Sequence, residues 1–381
     1  MSPRNSNPRI RILLLPVLVL GMTAALCAQG PEVPVDPSNS FQVNLPGDGP
    51  LALVSADWGR TRATARGGAM LVDLHSTLVF KNASPRPIRG VSLLVLAQEV
   101  TPGGKASVTV PSLDVQPGEV FPIRVDLRLM RPLNTGTGAL VQVGLDGVLF
   151  EDLTFYGPNR LNARRDMLSW ELSARRDRKA MLAALTQGGP EILRKQLLAV
   201  LARPSDNLVM GMQVARAMPA TNVEAGRSVE FAFLQFPDAP VELLSGDVRM
   251  TGTEARAPRI ELQSKAKRAI RFVELGWLAK DEQGREFMAG TLPADVNLPP
   301  GQHSTIRKEN TLRFAKPVNG LTAFPSAVEF SDGDLWVPSY AALKDPRLAA
   351  ALPASGEERR LAELYRRKGL DAVVQQLRSL R

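Results

Sequence analysis

The chain has 381 residues, of which 44% are hydrophobic and 22% charged, and a formal net charge of +9; that length suits two folded domains with cores of ordinary size. Two histidines, His75 and His303, and one cysteine, Cys27, are too few nitrogen and sulfur ligands for a zinc centre and leave no thiol for catalysis in the folded part. Neither a metal nor any other cofactor is expected, and no disulfide can form within one chain.

The first residues read as a leader. Arg4, Arg9 and Arg11 form a positive start, Ile12 to Leu20 is apolar apart from Pro16, and Gly21 to Ala28 is small and apolar. This pattern predicts a secretory signal peptide over residues 1–28, with cleavage after Cys27 or Ala28. Retention as an anchor and lipid attachment at Cys27 are the alternatives, the second opposed by the bulky Leu26 just before it. The expected location is therefore the periplasm, the cell envelope or the extracellular space. Residues 29–40 read as a Pro-rich linker.

Residues 41–157 carry strand signals. Leu74, Ser76, Leu78 and Phe80 alternate with their neighbours, as do Ile123, Val125, Leu127 and Leu129 with Arg124, Asp126 and Arg128, which is the period of strands with one buried face. Pro117-Gly118 and Pro300-Gly301 read as turns, and Asp146-Gly147 and Asp332-Gly333 as tight hairpin turns. Residues 158–203 change to helical period. Ala163, Met167, Trp170, Ala174, Met181 and Leu185 fall in one stripe that Arg178 interrupts, Gly188-Gly189 ends the helix, and Pro190 opens a second one with Leu193, Leu197 and Leu201 on its buried face. Residues 204–340 return to strand patterning, 341–356 read as a linker, and 357–381 as a C-terminal basic helical segment broken at Gly369.

The second half repeats the first. Phe80 to Val91 matches Leu262 to Val273, with Arg86, Ile88, Arg89 and Val91 meeting Arg268, Ile270, Arg271 and Val273 without a gap. Pro117-Gly118 then matches Pro300-Gly301, and Asp146-Gly147 with Phe150 is matched to Asp332-Gly333 with Trp336. A weaker match pairs Leu182, Leu185, Gly189, Leu193 and Leu197 with Leu361, Leu364, Gly369, Val373 and Leu377. The expected fold is mainly β with helical appendages: two tandem β-sandwiches, each followed by a short helical hairpin.

Positive charge gathers on the helical parts. Residues 159–203 hold ten Lys or Arg against four Asp or Glu, and residues 357–381 hold seven against four. Arg164, Arg165, Arg175, Arg176, Arg178 and Lys179 are the candidate surface for an anionic partner such as phospholipid headgroups, an acidic polysaccharide or an acidic protein; a solvated helix face is the plainer reading. Nucleic acid is not expected, because no aromatics interleave with these residues.

No catalytic constellation stands out. Ser264-Lys265-Ala266-Lys267 has the Ser-x-x-Lys spacing but lacks a Lys-Thr-Gly companion and reads as a strand end. His75 has no second histidine near it in sequence, and no Asp-x-Asp-x-Asp-Gly spacing surrounds the Asp-Gly pairs. A glycosidase built on carboxylates alone would need two of them to converge, and no pair is indicated.

The run Phe80 to Val91 followed by Pro117-Gly118 resembles the adhesion-type immunoglobulin-like modules of secreted bacterial proteins. The stretch from Glu274-Leu275-Gly276-Trp277 to Gly290, with Phe324 to Trp336, is similar to uncharacterised exported proteins of soil bacteria. The resemblance implies an immunoglobulin-like sandwich and an exported location, and no activity. The expected role is that of a non-enzymatic secreted or envelope protein acting through its sandwich modules on a protein or envelope component, without a small-molecule substrate. A carbohydrate- or cell-wall-binding protein is the alternative, with Trp58, Trp277 and Trp336 as its available platforms.

Overall fold

A computed structural model describes residues 32–34, 40–97, 103–133, 139–203, 213–215, 226–307, 311–314 and 316–379. The leader expected over residues 1–28, most of the Pro-rich linker and the start of the second strand-rich region lie outside the described residues.

The chain is mainly β. Its first part forms β1 (Glu32–Val33), β2 (Phe41–Asn44), β3 (Leu51–Asp57), β4 (Arg62–Arg66), β5 (Ala69–Asn82), β6 (Ile88–Leu96), β7 (Lys105–Val110), β8 (Val120–Pro132), β9 (Val141–Phe150) and β10 (Phe155–Tyr156). β5 is the spine of one five-stranded sheet: β8 runs along one edge of it, and β3 and β4 share the other. A second five-stranded sheet has the order β10-β9-β6-β7, with β2 parallel to the start of β9. Val72, Leu74, Leu78 and Phe80 from the first sheet meet Val91, Leu93, Val143 and Val148 from the second in one core. The alternation in β5 and β8 sends every second side chain into that core. Almost all of β6 is buried on both faces, because a helix covers its outer side.

That helix, α1 (Ala163–Ala202), is kinked at Gly189, whose φ of 73° lies in the region only glycine enters easily. Its first turns lay Ala163, Met167 and Leu168 on Leu149 of β9. Trp170, expected on the buried stripe, is instead 42% exposed.

The second part forms β11 (Gln213–Ala215), β12 (Arg227–Glu230), β13 (Ala232–Phe233), β14 (Val241–Thr251), β15 (Glu254–Ser264), β16 (Ile270–Lys280), β17 (Glu286–Leu298), β18 (His303–Arg307), β19 (Thr311–Arg313), β20 (Gly320–Phe330) and β21 (Leu335–Trp336). Its pairings follow those of the first part. β15 pairs with β18 as β5 does with β8, β16 with β17 and β20 as β6 does with β7 and β9, and β13 lies parallel to β20 as β2 does to β9. Single hydrogen bonds agree as well: Asn82 N–H donates to the Glu119 carbonyl and Ser264 N–H to the Gln302 carbonyl, both at 2.9 Å. Arg86 stacks on Phe150 and pairs with Asp152, while Arg268 stacks on Phe330 and pairs with Asp332.

These contacts correct one step of the sequence match. The counterpart of Asp332 is Asp152, and that of Phe330 is Phe150. Asp332-Gly333 does form a turn, with Gly333 at φ 90°. Asp146-Gly147, in contrast, lies inside β9. The fully buried Asp146 carboxylate accepts from the backbone N–H groups of Arg160, at 2.7 Å, and Leu161, at 3.4 Å. Gly147 makes room for the Phe155 ring, which lies 2.1 Å from where a Cβ would stand.

The stretch 341–356, expected as a linker, contains a 3₁₀ turn (Ala342–Lys344) and the helix α2 (Pro346–Ala351). Asp345 accepts from Arg347 N–H, and Pro346 occupies the first turn. Leu348 and Ala351 of α2 cover Leu278 and Phe324 on the second part's outer sheet. Two further helices follow, α3 (Gly356–Lys368), opened by a Ser355/Glu358 capping box, and α4 (Leu370–Ser379). The break between them, Gly369, has φ 82° and repeats the conformation at Gly189. Met181, Leu193 and Leu197 of α1 pack with Leu361, Val373 and Leu377 of α3 and α4, forming one shared helical core. Met181 and Leu361 each precede their glycine by eight residues, so Met181, rather than Leu182, is the partner of Leu361 in this repeat.

Candidate binding site at the helical junction

Arg178 interrupts an apolar stripe because it sits at the centre of a buried charge cluster. Its guanidinium reaches Glu171 at 2.7 Å and Glu357 at 3.5 Å. Glu171 lies two helical turns before it on the same face of α1, so both point the same way. Glu171 also accepts from Arg175 Nε at 3.0 Å, and Glu357 takes Arg360 at 2.6 Å. Burial pushes the Arg360 guanidinium toward neutrality, but its bond to Glu357 together with the charges of Glu357, Asp114 and Glu171 outweighs that and holds its pKa above the ordinary value. Arg89 of β6, itself buried, joins the cluster to the first core by bridging Asp114, at 2.7 Å, and Glu151. Gln376 of α4 donates to the same Asp114 at 3.0 Å. The cluster thus ties the first sheets, α1, α3 and α4 together.

The start of α1 is fastened to the second part in the same manner. Arg165 Nε donates to Glu329 at 2.6 Å, and its guanidinium lies 3.6 Å above the Phe272 ring. Arg164 donates to the Gly333 carbonyl at 3.2 Å, and Arg176 to the Pro338 carbonyl at 3.1 Å. Burial drives the Glu329 carboxyl up, but Arg271 and Arg165 outweigh it, and its pKa lies below the usual carboxylate value. Asp166 goes the other way: burial first, then the nearby Glu274 carboxylate, raise its pKa.

These contacts correct the expected cationic face. Arg164, Arg165, Arg175, Arg176 and Arg178 all bind carboxylates or carbonyls of the same chain. Of the six candidates, Lys179 alone is exposed with no ion pair among the described residues. The charge count along α1 is high because the junction needs cations to meet buried acids, as unpaired buried carboxylates are costly.

Beside the cluster lies a groove of about 640 Å³, where α1, the 340–359 segment and both strand-rich parts meet. Its lining includes Trp170, Asp177, Met288, Tyr340, Leu352 and Pro353. Trp170 is the exposed indole of the chain at this site. Asp177 is 3% exposed; one of its carboxyl oxygens accepts from Arg176 Nε at 2.8 Å, and the other has no hydrogen-bond partner. Burial, then Glu358 and Asp177, raise the pKa of the Tyr340 hydroxyl, so it stays a neutral donor. Charged side chains line the groove too, among them Arg203, Lys344, Glu358 and Arg359, and a concavity that sets apolar surface beside placed polar groups is the usual form of a binding site. Sequence reasoning missed Glu171, Glu357 and Asp177; the one signal pointing to them was the charged Arg178 within an apolar stripe.

The other singled-out residues have structural surroundings. Ser264 ends β15, is buried, and accepts from Ala266 N–H. His75 is exposed and pairs with Asp126 at 3.0 Å. Trp277 is fully buried, Trp336 packs against the second core, and Trp58 meets Phe41 edge-on at 5.2 Å. Among the described residues no cluster of His, Cys, Asp and Glu could hold a metal ion, and no helix is long and apolar enough to cross a membrane.

No family model matches the chain, and no curated protein is similar to it. Among solved structures it is similar to "pT26-6p", at 8% identity and a TM-score of 0.17, covering 86% of this chain and 72% of that one. A β-glucosidase from Kluyveromyces marxianus gives 10% identity and a TM-score of 0.15, covering 71% of this chain and 45% of that one, so the chain spans less than half of its length. An allantoicase from Saccharomyces cerevisiae gives 11% identity and a TM-score of 0.08, covering 71% of this chain and 82% of that one. Scores this low establish no common fold and carry no function across.

Proposed function

We propose that this is a non-catalytic, exported binding protein, in which two tandem immunoglobulin-like sandwiches are held as one scaffold by their interlocked helical hairpins and present a ligand groove at the junction. The carrying observation is the groove itself: an exposed indole beside Met288, Leu352 and Pro353, with a charge cluster that fixes the walls. A wall whose side chains are already ordered loses little entropy when a partner docks. Trp170 is the anchor in this reading, as a large rigid side chain with a polar tip. The hydroxyl of Tyr340 supplies the polar selectivity.

A second reading, carbohydrate binding, rests on the same Trp170, since Trp277 is buried and Trp58 and Trp336 are packed against other side chains. Indole N–H resonances of the full chain separate the two. Titration with apolar peptides is expected to move the Trp170 signal ahead of those of Trp58, Trp277 and Trp336. Movement with oligosaccharides instead favours the second reading, and a Trp170 signal that neither class moves overturns both.

A further inference from the structure

We infer that the outward face of the sheet built on β5 binds an acidic polysaccharide through Arg60, Arg62, Arg124 and Arg128. This site lies apart from the groove and does not depend on it. Register sets the arrangement. Arg62 of β4 and Arg128 of β8 both stand opposite Asp73 of β5, Asp126 of β8 stands opposite His75, and Arg124 opposite Thr77. All of these except Asp73 and Thr77, which are half-buried, are exposed. With strands about 4.8 Å apart, this sets guanidinium groups of β4 and β8 on either side of β5.

The two acids beside these arginines are already engaged. Asp73 accepts from Arg128 Nε at 2.5 Å, and Asp126 is held by His75 at 3.0 Å and by Arg124 at 3.7 Å. Arg60 and Arg62 form no ion pair or side-chain hydrogen bond among the described residues. They open onto a shallow hollow of about 620 Å³ shared with Asp73, His75, Asp126 and Arg128. Across this face six exposed cations, Arg60, Arg62, Arg66, Lys81, Arg124 and Arg128, stand against four carboxylates, Glu32, Asp57, Asp73 and Asp126, an excess of two, and guanidinium groups bind carboxylate or sulfate in a bidentate manner. Leu127 is the only large apolar side chain in the hollow, so nothing here inserts into a bilayer. It also holds no Trp, Tyr or Phe on which a nucleobase could stack. A flat, hydrogen-bonded sheet keeps its charges at fixed spacing, which suits a repeating polyanion in water better than a mobile lipid surface.

The test uses the full chain with fluorescein-labelled polygalacturonate, at low and high salt, and with phosphatidylglycerol vesicles. Polygalacturonate is expected to bind at low salt and to weaken steeply as salt rises. The double variant Arg60→Gln/Arg62→Gln is expected to lose about tenfold in affinity and to show a shallower salt dependence. Both side chains are exposed, so the thermal midpoint of the variant should match that of the parent. Lys179→Gln/Arg366→Gln, which removes the same charge from exposed helix positions, should leave binding in place. The inference is overturned if polygalacturonate does not bind, if the helix variant weakens it equally, or if vesicles bind and polygalacturonate does not.

Discussion

The arginines of α1 and those on or beside β4 and β8 are the same residue type put to opposite uses. On α1, Arg165 and Arg178 approach carboxylates that are almost fully buried, Glu329, Glu171 and Glu357. On the sheet, Arg60 and Arg62 face solvent without a partner among the described residues, and Arg128 pairs with an acid at the surface. The charge count along the sequence ranks α1 first, yet most of its arginines are consumed by the fold. The difference shows that a run of positive charge measures a demand for counter-charge, which the fold can supply from far along the chain. Arg165 and Glu329 are separated by 164 positions.

The comparison breaks most visibly at Arg178. Replacing it with Ala takes one cation from two buried carboxylates at once, leaving Glu171 to Arg175 and Glu357 to Arg360, and is expected to lower stability by about 2–4 kcal/mol, measured by denaturant unfolding. If Arg178→Ala unfolds like the parent, the cluster is not a clasp. Arg165→Ala should cost less, about 1.5–3 kcal/mol, because Arg271 still holds Glu329 while the contact with Phe272 is lost.

The pH dependence sharpens the same contrast. Glu329 has a lowered pKa in the folded chain, so its contribution is complete above the ordinary carboxylate value. It is lost as pH falls from there through the folded value. The Glu329→Gln variant should therefore show a flatter loss of stability in that acidic window than the parent. Asp166 has the opposite sign: its raised pKa favours the protonated folded state, and Asp166→Asn should be least different from the parent at acidic pH. The smallest effect belongs to the sheet face. Arg62→Ala should change stability by no more than about 0.5 kcal/mol, as for exposed positions generally. A larger loss would mean that this arginine is structural after all.

Much of the fold was legible because it follows from local rules. The alternation in Leu74–Phe80 and Ile123–Leu129 fixed which faces are buried, and Gly189 and Gly369 announced their breaks through a backbone conformation that other residues resist. Pro117-Gly118 and Pro300-Gly301 form turns as read, with Gly118 at φ 80° and Gly301 at φ 70°. The misreadings share a cause. Asp146-Gly147 has the composition of a turn, but Asp146 satisfies backbone N–H groups beyond the strand and Gly147 yields space to Phe155, and both relations are tertiary. Asp345-Pro346 was a usable helix-start signal inside the presumed linker. The junction was hidden for the same reason as the arginine pairs: nothing local in Glu357 says that it will meet Arg178 across 179 positions.

The interlocked hairpins also set an order of assembly. The apolar side of α1 at Met181, Leu193 and Leu197 is closed by Leu361, Val373 and Leu377, which are made only after the second set of strands. Until then that side stays open to water while the whole second set of strands is being made. A chain cut short before residue 356 would keep it open for good, a flaw that chaperones and proteases recognise by its exposed leucines. α3 and α4 therefore act as a check that both sets of strands have been made.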